Sequence, residues 1–161
     1  TGMNILMDNP AQVGSDLIAD AVGAISDYPA PLIIFDMGTA TTVCVVDKNK
    51  NYIGGMILPG VRTALDALTA RAAQLSGIDL VAPKRTIGKN TTECMKSGII
   101  NSNAASVDGI ITRIEEELGE KATVVATGGL AKCIIPHCHQ EVIMDEDLLL
   151  KGLRKIYEKN R

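Results

Sequence analysis

Residues 36–42 read DMGTATT and lie between the apolar runs PLIIF and VCVV. A solvent-facing hairpin would be served by Asn-Gly or Asp-Gly. This stretch is polar in another way: one carboxylate, one position without a side chain and several hydroxyls. Asp36 can hold a hard cation directly or through water, and Gly38 lets the backbone approach an anion. Thr39, Thr41 and Thr42 add hydroxyls, so the stretch suits a phosphate and its metal ion. A tight turn with β-favouring threonines and a solvated Asp accounts for the same residues equally well.

Other stretches carry weaker chemistry. TGG at 127–129 follows an apolar run and precedes a helical pattern, where backbone amides and missing side chains admit a nucleotide. A strand-to-helix turn needs small residues anyway, and the run is not G-x-G-x-x-G. GGMILPG at 54–60 marks either a close approach to an apolar strand or plain sheet packing. IGKNT at 87–91 is not a Walker loop, because position 83 is Pro and Asn90 follows Lys89. Asp16 sits one residue off an apolar helical stripe, where a lone carboxylate is ordinarily solvated. CIIPHCH at 133–139 crowds Cys133, His137, Cys138 and His139 together, but residues so close in sequence do not easily converge on one tetrahedral ion.

The elements that must position these residues follow from hydrophobic period and punctuation. Asn9 before Pro10 is a helix start, and Val13, Leu17, Ala21, Ala24 and Ile25 recur at helical spacing, which predicts a helix over 10–26. Strands are predicted over 31–36, 40–47 and 51–58, the last two separated by DKNKN. Val61, Leu65, Leu68, Ala72 and Leu75 trace a helix, and 76–90 reads as loop. Helical pattern resumes over 91–100 and returns over 107–118, ending at Gly119. A strand over 122–127, a short helix after GGLA, a strand over 141–144 and a final helix capped by Asp145 or Asp147 complete the chain. The order predicts an α/β fold with a mixed sheet, an antiparallel three-strand meander joined to two strands by helical crossovers.

Composition sets the limits. The 161 residues suffice for one domain with a core, and 46% hydrophobic with 22% charged is ordinary for a globular chain. A formal charge of −3 and four aromatic residues (Tyr28, Phe35, Tyr52, Tyr157) disfavour nucleic acid. No apolar run has the length of a membrane span, and no export signal opens the chain, so Cys44, Cys94, Cys133 and Cys138 read as reduced thiols of a cytoplasmic protein.

Taken together, NPAQVGSD…IADAV, DMGTATT, YIGGMILPGV, IGKNTTECMKSGI, ATGGLA and DEDLLLKGLRKIYEKN resemble the type III pantothenate kinases in order and spacing across the whole chain. The resemblance implies a ribonuclease-H-like domain of the superfamily of acetate and sugar kinases, heat-shock ATPases and actin. It implies transfer of the ATP γ-phosphoryl to pantothenate, the first step of coenzyme A synthesis, with Mg2+, a monovalent cation (K+ or NH4+) and a homodimer. Asp16 in VGSD then matches the catalytic base, and Asp36 the ligand of the monovalent cation. Gly38, Thr39, Ala40, Thr41 and Thr42 match the second phosphate loop, and Gly128 and Gly129 the adenosine loop. Gly14 and Thr91 match positions that meet pantothenate, Thr91 from across the dimer interface.

The chain departs from the pattern twice. The family opens with another domain, which carries an Asp-x-Gly-Asn-Thr phosphate loop, and no such loop occurs here. The 161 residues are expected to be one C-terminal ribonuclease-H-like domain with the N-terminal domain missing, an expectation that the start TGMNILMDN favours. Phosphoryl transfer depends on positioning and charge neutralisation, so half a clamp is expected to be nearly inert alone. The family also places Arg after the catalytic Asp, where Leu17 stands here. Loss of one charge-assisted hydrogen bond to a carboxylate costs about 1.5–3 kcal/mol. A non-catalytic dimerising or regulatory module, or another small-molecule kinase of the superfamily, remain alternative readings.

Overall fold

A computed structural model of the chain describes residues 1–72 and 77–161. Its centre is β1 (Leu32–Met37), buried along nearly its whole length as a strand covered on both faces must be. β1 pairs antiparallel with β2 (Ala40–Val46), which pairs antiparallel with β3 (Tyr52–Pro59). On its other side β1 pairs parallel with β4 (Thr123–Thr127), and β4 pairs parallel with β5 (Ile143–Met144). The sheet order is β3-β2-β1-β4-β5, the predicted meander plus two crossover strands.

Strand alternation divides the core into two layers. Ile33, Phe35 and Met37 face α2 (Val61–Arg71) and α3 (Thr91–Leu118), where Val61, Leu65, Ile100 and Ile111 are buried. Leu32 and Ile34 face the opposite side with Cys44, Val46 and Val125, under α1 (Ser15–Asp27) and α5 (Leu148–Lys159). Each fully buried aliphatic side chain here contributes roughly 1.5–3 kcal/mol.

Several boundaries differ from the sequence expectation. Residues 10–26 are not one helix: Pro10–Gln12 form a single 3-10 turn, and α1 begins at Ser15 with Gly14 as its N-cap. Asn9 makes no side-chain cap bond, so the proline directs only that first turn. The segments 91–100 and 107–118 are one 28-residue helix. The polar run between them stays helical because Ala104 and Val107 bury its inner face in the core, and its Asn103 and Ser106 side chains donate to the carbonyls of Ile99 and Ser102. Leu75, which the spacing assigned to the second helix, lies outside the described residues. A four-residue helix α4 (Ala131–Ile134) follows the glycine turn after β4. Asp147 occupies the cap position of α5, and its N–H donates to the Asp145 carboxylate.

Candidate active site

The C-terminal ends of β1 and β4 point the same way, and the turn after β4 closes over the end of β1. Leu130 N–H donates to the Met37 carbonyl at 3.1 Å, and Ala131 N–H donates to the Gly128 carbonyl at 3.2 Å. Gly128 has φ +95°, and a Cβ there would stand 2.6 Å from both Asp36 Oδ1 and Met37 N. The position therefore takes only glycine, for conformation and for space. Gly129 has no atom within 4 Å of such a Cβ, so this part of the turn is open. Outer ends of adjacent parallel strands are where ligands of open α/β sheets bind.

Asp36 stands opposite Thr127 of β4 and Thr42 of β2 and belongs to the face covered by α1. The first turn of α1 presents Asp16, exposed at the helix N-terminus, where backbone amides favour a negative group. Gly14 leaves room for it: a Cβ there would lie 2.6 Å from Asp16 Oδ1.

One turn further along, Asp20 is buried at 2% exposure, and its Oδ1 has no hydrogen-bond partner among the described residues. Burial first, then the charges of Asp36 and Asp16, push the Asp20 carboxyl up to about 7. The Asp36 carboxyl is also raised, by burial first and then by Asp16. Sequence reading missed Asp20. Its signal was present in the i, i+4 spacing from Asp16, which puts both carboxylates on one helix face.

The remaining expected residues divide. The turn Gly38–Thr39 packs on the start of α2, where Thr63 Oγ1 donates to the Thr39 carbonyl at 3.1 Å. A Cβ on Gly60 would stand 2.0 Å from that same oxygen. Ala40 opens β2 and is exposed. Thr42 lies beside Asp36, and its buried Oγ1 has no partner among the described residues. Thr41, one residue earlier, pairs with Met37 and turns to the α2–α3 side, its buried Oγ1 likewise unpartnered. Thr91 opens α3, on the opposite side of the sheet from α1, and is exposed.

Two hollows flank the carboxylates. A cleft of about 370 Å³ lies among Asp20, Asp36, Thr127, the Gly128–Gly129 turn, Lys132 and Glu146. A groove of about 730 Å³ runs from Gly14 and Leu17 to Met56 and Ile57 of β3. The orphaned oxygens of Asp20 and Thr42 fit an oxygen-seeking cation, and the open glycine turn fits a nucleotide. Cys138 is packed under α3, its thiol pushed up to about 11 by burial and then by Asp108, while His139 N–H donates to the Asp108 carboxylate.

Sheet order and helix layers define a ribonuclease-H-like α/β domain with carboxylates at the strand ends. A conserved Baf-family protein from Campylobacter jejuni, described as a transcriptional activator, shares this fold with TM-score 0.65 at 22% identity, over 96% of this chain and 69% of its own. The family model for type III pantothenate kinase matches residues 1–113. A type III pantothenate kinase of an Exiguobacterium species is 48% identical over 161 residues, and that of Bacillus cytotoxicus 46% over 160 residues. The chain belongs to the type III pantothenate kinase family. It spans 63% and 61% of the length of those two relatives, and 100% and 99% of the chain is aligned.

Proposed function

We propose that the chain supplies one half of a kinase site that transfers the γ-phosphoryl of ATP to the primary hydroxyl of pantothenate. The observation that carries this reading is the convergence of Asp16, Asp36 and the Gly128 turn at one end of the sheet, in a chain of this family. Asp16, exposed in the first turn of α1, takes the proton of the attacking hydroxyl. Gly128 and Gly129 admit the adenosine, while the Gly38–Thr39 turn and the start of β2 at Ala40, Thr41 and Thr42 face the phosphates, Thr41 by its backbone alone. Asp36 holds a cation, K+ or NH4+ by resemblance, and Mg2+ accompanies ATP. When bound, these ions neutralise phosphate charge.

The acceptor lies along the groove beside Gly14. Thr91 is on the other side of the sheet, which supports its offer to a second copy of the chain in a homodimer. The opposing phosphate loop comes from the part of the relatives that these residues do not match. With it the enzyme acts as a cytoplasmic catalyst of coenzyme A synthesis, and without it turnover is nearly absent.

A second reading has its own observation. Asp8 is the charged residue on the groove among the described residues, and no cation there meets a pantothenate carboxylate. This favours another small-molecule acceptor for the same phosphoryl transfer.

Isothermal titration with Mg-ATP tests the nucleotide reading. We expect binding in about the millimolar range, lost in Asp36→Ala. No heat with either protein rejects a working cleft. Leu17→Arg separates the acceptors: tighter pantothenate binding supports pantothenate, and unchanged binding supports the second reading.

A further inference from the structure

We infer that the groove between the N-terminal segment and β3 holds the tail of the phosphoryl acceptor, and that this tail is an uncharged amide with an apolar end. The inference rests on the placement of the acceptor along this groove, and its test needs no nucleotide.

Backbone pairing fixes the walls of the groove. Leu6 N–H donates to the Tyr52 carbonyl at 2.8 Å and Tyr52 N–H to the Asn4 carbonyl at 2.9 Å, which lays the N-terminal segment parallel to β3. Met7 then reaches over β3, its Sδ 3.8 Å from where a Cβ on Gly54 would stand. The hollow measures about 730 Å³, within the roughly 300–1,000 Å³ of small-molecule sites.

The lining sets the chemistry. Met7, Val13, Leu17, Met56 and Ile57 make it apolar, and Ile57 is 81% exposed, so a ligand there removes bare hydrocarbon from water. The two methionines adapt to a flexible alkyl chain. Tyr52 offers no polar handle, because its buried hydroxyl donates to Cys44 Sγ at 3.3 Å. Polar contacts come from the exposed side-chain amides of Asn9 and Gln12, Asn9 being unused as a cap. Each carries donors and an acceptor, the pattern that an amide in the ligand complements.

Charge decides against a carboxylate. Asp8 is the one charged residue lining the groove among the described residues. Asp16 stands at the Gly14 end, its Oδ1 2.6 Å from where a Gly14 Cβ would be. An anionic tail would meet these carboxylates with no cation to offset them, and like charges repel. A cationic tail would find Asp8 but surrender hydration to an apolar wall. The uncharged amide avoids both costs, and Gly14 has no side chain to bar the hydroxyl end of the same molecule from Asp16.

The experiment is calorimetric titration of the whole chain with three probes: pantothenate, its N-pentyl amide and its aminopentyl amide. We expect the pentyl amide to bind at least about tenfold more tightly than pantothenate, and more tightly than the ammonium-tailed amide. Met56→Thr and Ile57→Thr keep strand-forming residues on β3. Each should weaken the pentyl amide at least about threefold, with pantothenate changed less. Circular dichroism monitors folding, and Ile57→Thr, at the more exposed residue, supplies the decisive comparison if Met56→Thr does not fold. The assignment is overturned if pantothenate or the ammonium-tailed amide binds as tightly as the pentyl amide. Unchanged affinity in the folded variants, or no binding of the pentyl amide, also overturns it. Pentyl-amide binding in a chain that does not bind Mg-ATP sinks the kinase reading and leaves the groove's ligand standing; Mg-ATP binding without amide binding does the opposite.

Discussion

Asp36 Oδ1 lies directly over Gly128, 2.6 Å from where a Cβ would stand, so the acid on β1 and the glycine after β4 occupy one space. The contact joins two parallel strands at the end where the cleft opens. A methyl group at Gly128 would meet the carboxylate and the Met37 backbone, and would hold an L-residue at φ +95°. Gly128→Ala should cost about 2–4 kcal/mol and abolish nucleotide binding. Gly129→Ala meets nothing within 4 Å and should alter stability by less than about 0.5 kcal/mol. Thermal denaturation of the two variants side by side checks the contrast.

Asp20 sets a pH dependence in metal-free buffer. Burial pushes its carboxyl up to about 7 when folded, against 3.8 for a solvated aspartate in the unfolded chain. The folded state therefore holds more protons between those values, and stability falls as pH rises through that window. Asp20→Asn should remove this slope and stabilise the protein at pH 8 by on the order of 3 kcal/mol. Denaturant unfolding across the pH range in chelator measures it; parallel curves for the two proteins would contradict the expectation.

Asp145 works in the opposite sense. At 7% exposure it accepts from Tyr28 Oη at 2.6 Å and from Lys151 Nζ at 2.7 Å, tying the end of α1 to α5. Burial raises its carboxyl, but the bonds from Lys151 and Tyr28 outweigh this and hold it below the usual range. Its contribution is present above the unfolded pKa and lost as pH falls through the folded one. Asp145→Ala should cost about 3 kcal/mol at neutral pH, and the deficit should shrink in acid. Melting temperatures at neutral and acid pH give both numbers.

Glycines on two helices should respond with opposite signs. A Cβ at Gly152 would stand 1.8 Å from the Ala19 carbonyl oxygen, so α1 and α5 touch backbone to backbone. Gly152→Ala should cost about 3 kcal/mol, because neither backbone can give way. Gly98 and Gly109 on α3 meet nothing within 4 Å, and alanine at either should stabilise the folded chain by about 1 kcal/mol. If the proposed second copy packs on that face, Gly109→Ala should weaken assembly in sedimentation while it raises the melting temperature.

What the sequence by itself determined is local. The continuous apolar runs LIIF and VCVV, the helical stripe of Val107, Ile110, Ile111 and Ile114, and the stop at Gly119 follow from short runs of β-branched and apolar residues, from a period of 3.6 and from a left-handed cap, all set within a few residues. The period of two even contained the division of Thr41 from Thr42 between opposite faces. Tertiary structure decided which ends meet. Asp20 looks like an ordinary polar residue of an amphipathic helix until α1 lies across the end of β1 and shuts it from water against Asp36. The run 101–106 reads as a break until packing of α3 on the sheet from both flanks carries the helix through it. In both cases the deciding energy is burial against residues far away in the chain, which no local pattern encodes.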